Sequence, residues 1–194
     1  MINNAMEYVR EIFGADSSGH DFDHTLRVYR MAVRIAEEEK ADVDTVALAA
    51  LLHDVDDHKL SPDTADTKSR AAAFLQAYEI DCAAAERILH IIDQISFSRN
   101  TLPPDSLEGM CVQDADRLDA MGAIGIARTF AYGGANGRAI YAPGDDRCSI
   151  AHFYEKLLLL KDRMNTPSAR AMAEERHSFL ENFLRTFLAE WYAV

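Results

Sequence analysis

ALAALLHDVDDHKL, residues 47–60, decides how this chain is read. The run from Ala47 to Leu52 has no polar side, as the interior of a buried helix does. His53, Asp54, Asp56, Asp57, His58 and Lys59 follow at once. An ionised carboxylate carried into a core costs several kcal/mol or more unless a partner offsets its charge. The stretch therefore predicts a central helix whose end delivers carboxylates to something positive.

Working outward, the same helical pattern recurs almost everywhere, and no run of alternating β-branched residues predicts a strand. Residues 4–13 form a short amphipathic segment, and GADSSGHD reads as a loop. From Phe22 to Glu38 the apolar residues Val28, Met31, Ala32, Ile35 and Ala36 recur at helical spacing. Counting back four from Val28 places His24 on the inward face, one turn before the core stripe. Asp42 is the expected N-cap of the helix ending near Leu52. Further helices are predicted over 65–78, 81–95, 107–120 and 124–131. Two closing helices follow over 150–163 and 167–192, the last opened by Thr166 and Pro167 at N-cap and N1. Residues 132–149 read as one long irregular stretch, of the kind that forms functional loops or lids. The expected fold is all-α, one domain over residues 1–194, with the C-terminal helices of about 150–192 closing the bundle.

Composition narrows the function. The formal net charge of −12 makes the chain a poor binder of nucleic-acid polymers, whose phosphates are held by clustered Lys and Arg. No apolar run approaches a membrane span, and the first residues do not read as a signal peptide, so a cytoplasmic protein is expected. Cys82, Cys111 and Cys148 are odd in number and widely spaced. Disulfides and zinc-thiolate sites are not expected, and buried structural thiols are.

His24 opens one helix and His53-Asp54 ends the next. If the two helices are antiparallel, these groups share a pocket. Neutral imidazoles and carboxylates suit a divalent cation, whose charge would answer the opening problem. A further carboxylate is available in CVQDADRLDAMGAIGIAR (111–128). Asp114 lies almost opposite Asp116 on a helix, and Asp119 is a third candidate. A solvated helix face is the plainer reading of such a run.

His24, His53-Asp54 and Asp116, in that order on successive helices, resemble the HD superfamily of metal-dependent phosphohydrolases. The likeness extends through GHDFDHTLRVYRMA (19–32), LLHDVDDHK (51–59), SFS (96–98), QDADRLDAMGAIGIAR (113–128) and HFYEKLLLLKDRMNT (152–166). These blocks are similar to a bacterial subgroup of small stand-alone HD hydrolases. The resemblance implies an HD-domain helical bundle with a metal site between its central helices. It implies His24, His53, Asp54 and Asp116 as ligands, Asp116 being preferred because the family aspartate lies in an A-D-x-L context. It places Asp57 where some HD nucleotidases carry an acidic residue that acts on the attacking water.

Lys59 and Arg117 follow the ligand segments most closely and are the expected charge-stabilising groups. Arg27 and Arg128 are further candidates, Lys156 has no assigned role, and His20 is a candidate entrance residue. His58 and His90 are the only histidines placed to serve a second ion. One metal is preferred, with His90 structural. Mn²⁺ is the leading ion, with Fe²⁺, Co²⁺, Ni²⁺, Zn²⁺ or Mg²⁺ as alternatives. The expected substrate is a small phosphorylated molecule, a nucleotide first, with a triphosphate cut to monophosphate and pyrophosphate. Monophosphate hydrolysis, cyclic-ester opening and a non-catalytic sensor are the rival readings. No membrane or nucleic-acid partner is implied, and a homodimer is left open.

Overall fold

The computed structural model describes residues 1–13, 21–56, 64, 67–95 and 102–194. All regular structure among them is helical. The chain forms two compact units, Met1–Ala115 and Asp116–Val194. No helix among the described residues is long and apolar enough to cross a membrane.

In the first unit, helix α1 (Ile2–Phe13), α2 (Phe22–Glu39) and α5 (Cys82–Ile95) all pack on α3 (Val43–Leu52). Every residue of α3 from Thr45 to Leu52 is buried. This is why the 47–52 run has no polar side: the helix is covered all round. Asp42 caps it as expected, accepting from the Asp44 and Thr45 amides at 3.1 and 3.3 Å. Three residues join α2 to α3. Lys40 takes the left-handed conformation at φ 61° and returns its N–H to Ala36 O. So short a joint turns neighbouring helices antiparallel. The start of α2 therefore meets the end of α3. Helix α4 (Ser69–Ala77) packs on α5, and α6 (Leu107–Asp119) follows.

In the second unit, α7 (Gly122–Ala135) packs against α8 (Ser149–Glu155) and α9 (Pro167–Tyr192). Thr166 and Pro167 open α9 as expected, the Thr166 side chain accepting from the Ala169 amide at 3.3 Å. An aromatic ladder runs along α9: Phe153 stacks on Phe183 at 5.6 Å between centroids, and Phe187 on Trp191 at 5.7 Å.

Four expectations are corrected. The helix expected from residue 65 starts at Ser69, since Thr67 and Lys68 are in a turn with Lys68 at φ 50°. Helix α7 runs through Gly133 to Ala135 rather than ending at 131. Gly133 lies inside the helix where α8 packs closely on it: a Cβ there would lie 2.2 Å from Ser149 Oγ. The expected 150–163 helix stops at Glu155, where Lys156 leaves helical geometry (φ −136°, ψ −57°). Two 3₁₀ turns, Leu157–Leu159 and Lys161–Arg163, replace its second half. Leu157 in the first turn and Leu160 between the two are buried, three apart, which matches the 3₁₀ period. Finally, Cys82 is exposed while Cys111 and Cys148 are buried. The buried stripe of α5 is Ile88, Ile91, Ile92 and Ile95, and Cys82 stands off that face.

The irregular stretch is thereby shortened to 136–148, and it is fastened. The Ser149 and Ile150 amides at the start of α8 donate to Ala139 O and Ile140 O at 2.9 and 3.1 Å. The Tyr141 ring sits edge-on to Trp191 at 5.3 Å, with its hydroxyl 3.0 Å from that of Tyr192.

Candidate metal centre

Asp21 fixes the first ligand candidate. It is the N-cap of α2, and its Oδ1 accepts from the His24 amide at 2.8 Å. That bond sets the first turn of the helix. The buried stripe Val28, Ala32, Ile35, Ala36 then turns His24 inward, where it is wholly buried. His53 closes α3 as its C-cap residue. Its Nδ1 lies 2.8 Å from Ala50 O. A carbonyl only accepts, so Nδ1 carries a hydrogen and Nε2 is the ring nitrogen left for a ligand. Such a backbone bond is the usual device for orienting a metal-binding imidazole.

Nε2 faces Asp54. His53 Nε2 is 3.3 Å and His24 Nε2 3.4 Å from the same oxygen, Asp54 Oδ2. The two rings meet edge-on at 5.6 Å between centroids. One donor atom from each of His24, His53 and Asp54 lies within 4.8 Å of the others, and all three residues are buried. Two imidazole nitrogens and a carboxylate oxygen converging in a buried space are a mixed N/O donor set for a divalent ion. The three residues fit that group on their own chemistry. The expectation that His24 and His53-Asp54 meet is met in the geometry.

Not every carboxylate in the opening stretch goes to this cluster. Asp56, 1% exposed, accepts from the Arg70 and Ala71 amides at 3.2 and 3.0 Å. It serves the N-terminus of α4, whose own N-cap residue Lys68 makes no side-chain cap. A positive helix end stabilises a carboxylate there. Asp57, His58, Lys59 and His20 lie outside the described residues.

Asp116, at half burial on α6, belongs to the second unit. Its neighbours there are held by arginines. Asp119 is buried and takes Arg128 Nη1 at 2.6 Å. Arg117, 6% exposed, donates to the carbonyl of Arg163. Arg176 of α9 donates to the carbonyl of Leu118 in the last turn of α6, where carbonyls lack helical partners. Nothing in the sequence singled out Arg176. Asp114, in the first unit, is wholly buried. Burial first, then the Asp114 charge, pushes the Cys111 thiol up to about 12.

His90 is half-exposed and bonds Asp105 Oδ2 at 2.9 Å, tying α5 to the segment before α6. Its bond, before any other cause, holds the Asp105 carboxyl below its ordinary value. Lys156, at the end of α8, donates its amide to His152 O. Burial, and then the Lys156 charge, pushes His152 below the usual imidazole range.

Comparison with known proteins agrees with the geometry. The HD domain model matches residues 21–121, a span that holds all three clustered residues and Asp116. Bacillus subtilis YpgQ is 48% identical over 182 residues, 92% of this chain and 87% of its own length. A crystal structure of YpgQ in complex with ADP superposes with a TM-score of 0.84, at 44% identity and 98% and 97% coverage of the two chains. An HD-superfamily hydrolase from Bacillus thuringiensis gives 0.85 at 43% identity, covering 100% and 97%. A predicted HD superfamily hydrolase from an uncultured Thermotogales bacterium gives 0.70 at 33% identity, covering 97% and 92%. With the buried His-His-Asp cluster and the match across most of its length, the chain belongs to the HD-domain family and is a metal-dependent phosphohydrolase of the HD superfamily.

Proposed function

We propose that the substrates are nucleotides and that the favoured reaction takes a nucleoside triphosphate to its monophosphate and pyrophosphate. The observation that carries the hydrolytic part is the convergence of His24, His53 and Asp54 on one buried point. The nucleotide part is supported by the ADP complex of YpgQ, a relative that this chain matches over nearly its whole length. The preference for a triphosphate rests on the resemblance to stand-alone HD pyrophosphohydrolases.

In this reading His24, His53 and Asp54 hold a divalent ion, with Asp116 as the fourth ligand implied by the family pattern. Mn²⁺ is the favoured activating ion. When bound, such an ion supplies a water of lowered pKa and a Lewis acid for a phosphoryl oxygen. Asp57 would orient the attacking water and accept its proton. Lys59 and Arg117 offset the negative charge that develops on the phosphoryl oxygens. Arg117 already holds its guanidinium against a backbone carbonyl, which limits its rotamers. Residues 1–194 act as a single HD domain, in a cytoplasmic setting.

The test is a product analysis. Protein loaded with Mn²⁺ is incubated with ribo- and deoxynucleoside mono-, di- and triphosphates and cyclic nucleotides. The expected result is monophosphate plus pyrophosphate from triphosphates. Orthophosphate from a monophosphate, or opening of a cyclic ester, would replace the favoured reaction. No turnover of any nucleotide by metal-loaded protein would refute the nucleotide reading.

A further inference from the structure

Asp56 stands two residues beyond Asp54, and it is one of the least exposed charged residues of the molecule at 1%. The turn that carries both is held from two sides. Towards α3, the Val55 amide donates to Leu52 O at 3.3 Å, and His53 Nδ1–H donates to Ala50 O. Towards α4, each oxygen of Asp56 takes one backbone amide, from Arg70 at 3.2 Å and Ala71 at 3.0 Å. Tyr8 adds a second anchor on the same helix start, its hydroxyl donating to Arg70 O at 3.1 Å.

The cluster residue Asp54 thus lies in a four-residue bracket between the end of one helix and the beginning of another. Its carboxylate can meet the two imidazoles only if the bracket keeps its backbone course. Asp56 fixes the far end of that course.

We propose that Asp56 is a positioning residue for the His53-Asp54 pair, and that through it cation binding orders the first turn of α4. This rests on the reading that His24, His53 and Asp54 hold a divalent ion. The coupling is reciprocal: whatever the Asp56–α4 contact adds to ion affinity, the ion adds to that contact.

The experiment uses the full chain. Mn²⁺ affinity is measured by calorimetric titration, and amide hydrogen exchange is followed with and without Mn²⁺. In the unaltered protein, Mn²⁺ is expected to slow exchange at the start of α4 by about tenfold, within the usual range of such couplings. Asp56→Asn keeps the shape but has one acceptor oxygen and no charge. It is expected to bind Mn²⁺ about tenfold more weakly and to lose the Mn²⁺-dependent slowing at α4. A merely stabilising role would lower the melting temperature but leave ion affinity of the folded protein unchanged. Tyr8→Phe removes the other anchor of the same helix start and is expected to keep unaltered Mn²⁺ affinity. Exchange at α4 that ignores Mn²⁺ in the unaltered protein, or unaltered affinity in Asp56→Asn, overturns the inference while leaving the metal centre standing. The exchange comparison needs no variant, so it decides the matter even if Asp56→Asn does not fold. An unaltered protein that binds no divalent ion overturns both readings.

Discussion

Gly125 in α7 offers a stringent prediction, because the structure fixes both its sign and its size. The helix turns back so sharply after α6 that a Cβ on Gly125 would lie 2.2 Å from the carbonyl oxygen of Ala120 and 2.5 Å from its carbon. Real Cβ contacts stay beyond 3.0 Å, so the α6–α7 junction must open by about 0.8 Å. The obstacle is backbone and cannot rotate away. Overpacking of this kind costs roughly 1–3 kcal/mol, and the gain in helix propensity from Gly to Ala returns about 0.5–1 kcal/mol. With the clash at 2.2 Å from backbone the cost is taken at the upper end of that range, about 3 kcal/mol, so Gly125→Ala should lose about 2 kcal/mol. At roughly 2–4 °C per kcal/mol for a chain of this size, the melting temperature falls by about 4–8 °C. Gly134 is the internal control. It lies in the same helix, and a Cβ there meets nothing within 4 Å, so Gly134→Ala should gain about 0.5 kcal/mol and melt about 1–2 °C higher. Scanning calorimetry of the three proteins reads both shifts. A Gly125→Ala protein as stable as the unaltered one would refute the packing of this junction, which carries Asp116 and Asp119 on its α6 side.

Asp42 accepts from the Thr45 hydroxyl and from two amides, and the Thr45 bond, before any other cause, lowers its carboxyl. Asp42→Ala should cost about 1 kcal/mol in urea unfolding at neutral pH. A depressed carboxyl stabilises above the unfolded-state value and loses that contribution as pH falls through the folded value. The gap between the two proteins should therefore narrow below about pH 4, and a gap independent of pH would contradict the cap. In a thiol titration of native protein, Cys82 should react first and Cys111 and Cys148 only on unfolding, because one thiol is exposed and two are buried. Rapid labelling of all three would contradict the burial. Asp57→Ala should keep its metal and lose at least about 100-fold in turnover, the usual lower range for a general base. Retained turnover would remove Asp57 from the mechanism.

The sequence reading reached the cluster because His24 and His53-Asp54 each announce their place. His24 falls four residues before a clear apolar stripe, and His53-Asp54 ends a helix with no polar side. A three-residue joint was enough to bring them together. Asp42 and Thr166 were legible as caps because capping depends on residues three apart in sequence. Asp56 was not legible in the same way. Its partners are the amides of Arg70 and Ala71, and a contact across fourteen residues leaves no periodic trace. The same holds for Arg176, whose guanidinium reaches a carbonyl on a different helix. The break at Lys156 was hidden because LLLL reads as helix. Only packing selects the tighter 3₁₀ turns, with Leu157 and Leu160 buried. Gly133 fell in the stretch expected to be irregular, whereas it lies inside α7 where Ser149 of α8 approaches closely.

The most direct test of the metal centre is the metal content of Asp54→Ala, measured by elemental analysis after loading with Mn²⁺, beside a far-ultraviolet circular dichroism spectrum. The account predicts a helical protein that has lost both its bound metal and its phosphohydrolase activity. A folded variant holding metal at the stoichiometry of the unaltered protein would contradict the assignment of His24, His53 and Asp54 as its site.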